Sequence, residues 1–568
     1  MKTKVNKKVI ILGGGIAGMS AAHELVERGF DVAVYEMKTI AGGKARSIGV
    51  EGSATNGKKL LPGEHGFRFF PGFYKHVTDT MERIPYPGNA KGVFDNLVAT
   101  SRIEIARFTN KDILMVSKFP TSRKDLKVLI TSVSGGNFNL TKEEVDFFAD
   151  KMWQLLTSCK ERRQDEYEKL GWWEYLEADR FSVNYQKLLV EGLTRTLVAA
   201  KAQLANTKTG GDILLQLIFD MFKVGKASDR VLNGPTNEVW IDPWLNHLRK
   251  AGVDYHLNAK VQSIACDKEK VISTTILENG KTVEVSADYY IAALPVEVIT
   301  PLINPSMLAI DPTLQRLQQL QTQVAWMNGM QFFLKQDVPI INGHCIYIDS
   351  PWSLTSISQK QFWNNINLSD YGDGTVKGIL SVDISDWETP GILYNKPAKE
   401  CSTNEVMQEV WTQIKKSQNH DGKELLTDDM IHSWFTDPDI VDPNPHTSIN
   451  LEPLLVNLAD SWHTRPTSHT RISNFFLASD YIQTNTDLAT MEGANEAARR
   501  AVNCIIAVSK VKASYCKIWD LHEPNIFSLW RRRDANYYKR GLPWNGDLPW
   551  IILILQRARL WFFFKLGI

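Results

Sequence analysis

Three groups of residues, far apart in the chain, have the types and spacing needed to hold a flat, charged ligand. In the first, Gly13, Gly15 and Gly18 fall in the pattern G-x-G-x-x-G, with Ile16 and Ala17 between them. Gly13 suits a tight turn, Gly15 lets a pyrophosphate approach the backbone, and Gly18 allows a helix to pack closely on a strand. Glu36 ends the next apolar run, where a carboxylate accepts ribose hydroxyls and repels a 2′-phosphate. Just beyond, Gly42-Gly43-Lys44 and Arg46 supply a second glycine pair with two cations, suited to gripping a pyrophosphate from its other side. The second group is EHGFRFFPGFY, residues 64–74, in which Gly66, Phe67, Arg68 and Phe69 can lie along a ring system. The third is Asp480, at the end of an apolar run, with Met491 and Glu492 opening an Ala-rich segment. A carboxylate there can accept from a ribityl hydroxyl, while the free N–H groups of a helix start stabilise negative charge on a flavin ring. The first group alone fits either FAD or NAD; the later ones favour FAD.

These positions require particular elements. Val9–Leu12 reads as a buried strand, Met19–Arg28 as a helix stopped by Gly29, and Val32–Tyr35 as a second strand. Phe475–Ala478 reads as a further strand, with a helix opening at Met491. Residues 141–227 read as helices, and Thr141 with Glu144 forms a capping box ahead of VDFFADKMWQLL. Trp153, Trp172 and Trp173 in this stretch are expected to be core. Residues 310–450 mix strands (QVAWMNGMQFFL, GILSVDIS) with a helix near VMQEVWTQIKKS. A sheet flooring a cavity, capped by the inserted helices, fits that mixture.

Bulk properties exclude several classes. With 568 residues, 43% of them hydrophobic and 23% charged, the chain is globular and long enough for more than one structural unit. A net charge of +1 lacks the strongly basic footprint of a nucleic-acid-binding domain. The six cysteines form no C-x-x-C pair, and no metal-ligand cluster stands out, so no metal is expected and a reduced, cytoplasmic setting is. The N-terminal apolar run VIIL runs straight into glycines and is a strand rather than a signal peptide.

Taken together, GGGIAG, AGGK and FLASD…TMEGA resemble the FAD-dependent amine oxidase and carotene desaturase superfamily. Within it, EHGFRFFPGFY is most similar to plant- and cyanobacterial-type phytoene and ζ-carotene desaturases, aligning at Glu64, Gly66, Phe70, Gly72 and Tyr74. Arg68 stands where those enzymes usually carry His, and Ser479 where they carry Gly. The resemblance implies that Val261, in AGVDYHLNAKVQSI, contacts the adenine through its backbone, and that ADYYIAALPVEVI returns the chain from the FAD domain. It also implies an α/β fold with a Rossmann-like FAD-binding domain of the glutathione-reductase type. That domain would be discontinuous, formed by residues 1–100, 230–300 and 450–515. Residues 101–229 and 301–449 would form the mixed-sheet and helical substrate domain, leaving 516–568 as a tail.

From Ser528 the tail interleaves Trp, Tyr and Phe with Arg and Lys, and its apolar run Leu548–Leu555 is far too short to span a bilayer. This composition suits a segment lying on the cytoplasmic membrane face; a helix docked on the protein or on a second subunit is the competing expectation. The chemistry expected is hydride transfer from a hydrophobic, isoprenoid-like or lipid substrate to flavin, with a quinone or O₂ as final acceptor. A flavin amine or amino-acid oxidase using O₂ and a non-redox lipid double-bond isomerase are the alternatives. Arg68 and His65 are the catalytic candidates, although His65 suits a hydrogen-bonding loop role better.

Overall fold

The computed structural model describes residues 5–108, 139–192, 202–221, 229–419, 422, 424–444 and 447–548. The chain opens with β1 (Lys8–Leu12), α1 (Ile16–Glu27) and β2 (Asp31–Tyr35). Val9 to Leu12 are fully buried because β1 is covered on both faces. Val9 and Ile11 share a core with Ala21 and Leu25 of α1, whereas Ile10 and Leu12 share another with Ile264 and Ile276. Side chains that alternate between two covered faces read in sequence as one unbroken apolar run. Helix α1 starts at Ile16, earlier than the expected Met19, because Gly15 is its extended N-cap. The second half of the glycine motif therefore already lies in the first helical turn.

Next come α2 (His76–Glu82), β3 (Arg102–Ala106), α3 (Lys142–Thr157) and α4 (Thr207–Met221). The Thr141–Glu144 capping box forms at the start of α3. Trp153 and Trp172 are buried in the core of this helical insert and Trp173 packs against its edge. Parts of the expected helical run, 193–201 and 222–227, lie outside the described residues.

The remaining strands are β4 (Asp254–His256), β5 (Tyr289–Ala292), β6 (Asn328–Leu334), β7 (Gly343–Tyr347), β8 (Leu354–Ser358), β9 (Gly378–Ile384), β10 (Ile431–Thr436) and β11 (Phe475–Leu477). Helices α5 (Thr403–Gln418), α6 (Met491–Ser509) and α7 (Ser528–Lys539) lie in the same half of the chain. A five-stranded sheet in the order β11-β5-β1-β2-β4 is wholly parallel. A six-stranded sheet in the order β10-β6-β9-β8-β7-β3 is antiparallel except for its β7–β3 pair. The fold is mixed α/β, and segments from both ends and the middle of the chain build the parallel sheet.

The first part of the tail docks on the protein. Trp530, one face of α7, meets the Trp153 ring edge-on at 5.4 Å, and Asp534, one turn later, accepts from Arg162 Nε at 3.0 Å and from the Cys159 N–H at 2.8 Å. Those contacts hold Trp530 and Asp534 against the protein; the run Leu548–Leu555 lies, beyond Leu548, outside the described residues. No helix among the described residues is long and apolar enough to cross a membrane. All six cysteines are free.

Candidate active site

A cavity of about 470 Å³ lies where the glycine motif, the 64–74 segment, the start of α6 and the six-stranded sheet meet. Gly13, Gly15, Ile16 and Ala17 line it from the β1–α1 turn, and Gly43 and Lys44 from the loop after β2. The glycines are required by close backbone approach. A Cβ on Gly13 would stand 2.5 Å from the Ala293 carbonyl oxygen, and one on Gly43 would stand 2.9 Å from the Gly15 Cα. Gly15 caps α1 with no side chain, so the first N–H groups of the helix are left for a ligand. Gly18 does not line the cavity; its role is packing, since a Cβ there would meet the Gly13 carbonyl oxygen at 1.9 Å.

Glu36 borders the cavity and is buried. Its oxygens accept from the N–H groups of Gly14 at 2.6 Å and Lys38 at 2.9 Å. Burial pushes the carboxyl pKa up and those two N–H groups oppose the rise. Each carboxylate oxygen keeps a further lone pair for a sugar hydroxyl. Val261 lines the cavity beside Glu36, and Asp480 and Met491 line it from the β11–α6 side. These donors and acceptors fit a dinucleotide: backbone N–H groups for phosphate at one end of α1, a carboxylate at the strand end, and a second helix start at Met491.

Two expected cofactor residues are committed elsewhere, and a third, Arg68, is partly so. Glu492 is absent from the cavity wall and instead accepts from the N–H groups of Lys75, His76 and Val77 and from His76 Nδ1, capping α2. Arg46 is likewise absent; its guanidinium is buried among Asp437, Asp439 and Glu452. Arg68 does border the cavity, but its N–H groups donate to the carbonyls of Lys44 at 3.0 Å and Ala45 at 3.3 Å. It braces the second glycine loop against the 64–74 segment. The physical reason is shared: a buried charge seeks a partner, and these found theirs within the protein.

His65 lines the cavity with Nδ1 2.7 Å from Asp437 and its other ring nitrogen unpartnered. Sequence reading found no metal cluster, yet ligand atoms of His65, Asp437 and Glu452 lie within 4.8 Å of one another. Arg46 already supplies the cation there, 2.8 Å from Glu452 and 3.5 Å from Asp437. The Asp437 carboxyl is held well below the usual range: burial alone would raise it, and the His65 hydrogen bond and Arg46 charge outweigh that.

Of the phenylalanines, Phe67 and Phe69 line the cavity while Phe70 is core, its ring 5.4 Å from Trp240. Gly66 lies directly on the six-stranded sheet: its partner there must also be a glycine, because a Cβ on Gly329 would stand 2.6 Å from the Gly66 Cα. The Gly329 N–H donates to the His65 carbonyl at 2.6 Å. Sequence reading missed Trp326, His344, Thr355 and Asp383, all on the cavity wall. They come from β7–β9 and the approach to β6, and no local motif marks them. Buried Glu64, the first residue of the 64–74 segment, has its carboxyl pushed up to about 7 by burial, against the pull of Arg68 and Thr236.

Comparison with known proteins agrees with this geometry. Residues 16–506 match the family of flavin-containing amine oxidoreductases. A 15-cis-phytoene desaturase of Glycine max is 24% identical over 535 residues, covering 89% of this chain and 80% of that protein. A zeta-carotene desaturase of Synechocystis is 22% identical over 537 residues, covering 88% and 97%. Among solved structures, a putrescine oxidase matches with a TM-score of 0.58 at 12% identity, over 89% of this chain and 100% of that one. Cyclohexylamine oxidase from Brevibacterium oxydans matches at 0.56 and 11%, over 89% and 99%; at such identities the likeness is one of fold. With the match running from the first turn of α1 to the α6 side of the cavity, over most of the chain, the chain belongs to the flavin-containing amine oxidoreductase family and is an FAD-dependent oxidoreductase.

Proposed function

We propose that the protein is a desaturase or dehydrogenase that removes a hydride from a carbon of a hydrophobic substrate, isoprenoid, carotenoid-like or lipid. The observation that carries this reading is the greasy wall facing the motif residues, where Leu294, Trp326, Leu451, Leu454, Leu455 and Val456 border the same cavity as Gly66 to Phe69. The phytoene and zeta-carotene desaturases similar over most of the chain support it. When bound, FAD supplies the two-electron acceptor. The chain's own part is positional: the glycine loops and Glu36 hold the dinucleotide, Arg68 fixes one loop to the other, and the apolar wall orients the substrate and excludes water.

The same reading takes the parallel sheet as a glutathione-reductase-type dinucleotide domain assembled from residues 1–100, 230–300 and 450–515, with the rest up to 449 forming the substrate domain. It places the protein in the cytoplasm, at the membrane face where an apolar substrate and a quinone acceptor dissolve.

Anaerobic mixing with phytoene or ζ-carotene tests the proposal: the flavin's visible absorbance should bleach, and amines should leave it unchanged. Bleaching by putrescine or cyclohexylamine, with peroxide on admitting O₂, would transfer the protein to the amine oxidases. A shifted double bond with no net bleaching would make it an isomerase.

A further inference from the structure

The sheet side of the cavity is not uniformly apolar. His344 on β7, Thr355 on β8 and Asp383 on β9 all border it. Register places them on one face: Thr355 stands opposite Asp383, and His344 stands opposite Ile357, which shares the face of Thr355. His344 is 3% exposed and Asp383 9%. Both ring nitrogens of His344 and Oδ1 of Asp383 lack any hydrogen-bond partner.

The Phe67 N–H bonds the Asp383 carboxyl, but no neighbour bonds those three atoms. Phe67 meets the imidazole edge-on at 5.0 Å and Phe69 lies tilted at 5.2 Å. Gly66, against Asp383 Oδ1, has no side chain, and a Cβ there would stand only 2.9 Å from that oxygen. Arg68 commits Nε and Nη2 to the 44–46 loop and acts on Asp383 through its charge. Elsewhere on this face polar groups satisfy one another, as Gln331 does by donating to Ser381 Oγ at 2.9 Å. Bare buried polar atoms cost stability, and leucine would wall a chamber for pure hydrocarbon without that cost.

We propose that this wall seats a hydroxyl group, so that the substrate is an apolar chain bearing an alcohol, its oxygen bonded by His344 and Asp383 as Phe67 and Phe69 turn aside. A neutral imidazole offers one donor and one acceptor, as a hydroxyl does. Burial alone holds the His344 pKa down to about 4, leaving the ring neutral, and raises the Asp383 carboxyl to about 7, against the pull of Arg68 and the Phe67 N–H. An uncharged head suits such a wall better than a carboxylate, which would face Asp383. The inference rests on the hydrophobic-substrate reading and adds a polar end to that substrate.

Binding to the flavin-loaded protein tests it, with farnesol against the hydrocarbon in which its CH₂OH is replaced by CH₃. Affinities are read from the flavin difference spectrum and tryptophan fluorescence. Farnesol should bind about tenfold more tightly. His344→Leu and Asp383→Leu should each bring the ratio within about twofold while hydrocarbon affinity is kept, and His344→Leu should raise Tm, because the bare nitrogens are gone. Equal affinity of the parent for both probes overturns the proposal. Tighter binding of farnesylamine than of farnesol also overturns it, as does loss of flavin on His344→Leu, which would make His344 a cofactor ligand. Binding needs no turnover, so the two readings fail separately. A protein that prefers farnesol yet bleaches with no isoprenoid sinks hydride transfer alone; bleaching without any preference sinks the hydroxyl seat alone.

Discussion

Asp383→Asn turns the buried wall of the cavity into a pH-dependent stability measurement. In the folded protein the Asp383 carboxyl is raised to about 7, chiefly by burial, from an ordinary 3.8. Between those values the native state keeps a proton that the unfolded chain has released. Stability from this group is therefore fully present below about pH 4 and is lost as pH rises through about 7. At ~1.36 kcal/mol per pH unit, the interval is worth up to about 4 kcal/mol. The asparagine variant has no such proton to lose and keeps an acceptor for the Phe67 N–H. For a chain of 568 residues, with unfolding entropy near ~2.1 cal/mol/K per residue, this is about 3 °C in Tm. Scanning calorimetry of flavin-loaded parent and variant should give coincident Tm values near pH 4.5, with the variant about 3 °C higher by pH 8.5. A gap that stays constant, or narrows as pH rises, refutes the reasoning.

Glu36→Ala removes the carboxylate that the Gly14 and Lys38 N–H groups hold in place; the purified variant should carry less FAD per chain, and one as yellow as the parent would count against the role. Gly329→Ala inserts a methyl 2.6 Å from the Gly66 Cα; it should cost about 1–3 kcal/mol and lower flavin occupancy with far-ultraviolet circular dichroism unchanged. Arg46→Met leaves Asp437 with His65 alone and Asp439 and Glu452 with Lys38 alone; a loss of up to about 3–5 kcal/mol is expected in denaturant titration, against less than about 1 kcal/mol for an exposed pair. Trp530→Ala opens a cavity beside Trp153 and Phe527; a drop of about 3–5 kcal/mol, with faster proteolysis near α7, is expected in membrane-free solution. An unaltered digest would mean that α7 does not depend on this docking.

Local signals were sufficient for the dinucleotide cradle. G-x-G-x-x-G encodes close backbone approach in the residues themselves, because only glycine leaves room for the contacts at Gly13 and Gly18. The buried β1 run, the Thr141 capping box and the helix start at Met491 were equally readable, each being set within a few residues of chain. Tertiary structure decided what the charged residues do. Nothing local distinguishes a cation that meets phosphate from one that meets a carboxylate hundreds of residues away, so Arg46 and Glu492 went to Asp437, Glu452 and the α2 start. The docking of α7 was hidden likewise, since Trp530 and Asp534 suit an interface with lipid or with protein equally until Trp153 and Arg162 arrive beside them. His344 and Asp383 reach the cavity only through strand register in a sheet whose strands alternate nearly fully buried faces. Sheet pairing joins distant segments by backbone hydrogen bonds that carry no side-chain signature, and for that reason the chemistry of the far wall belongs to the fold.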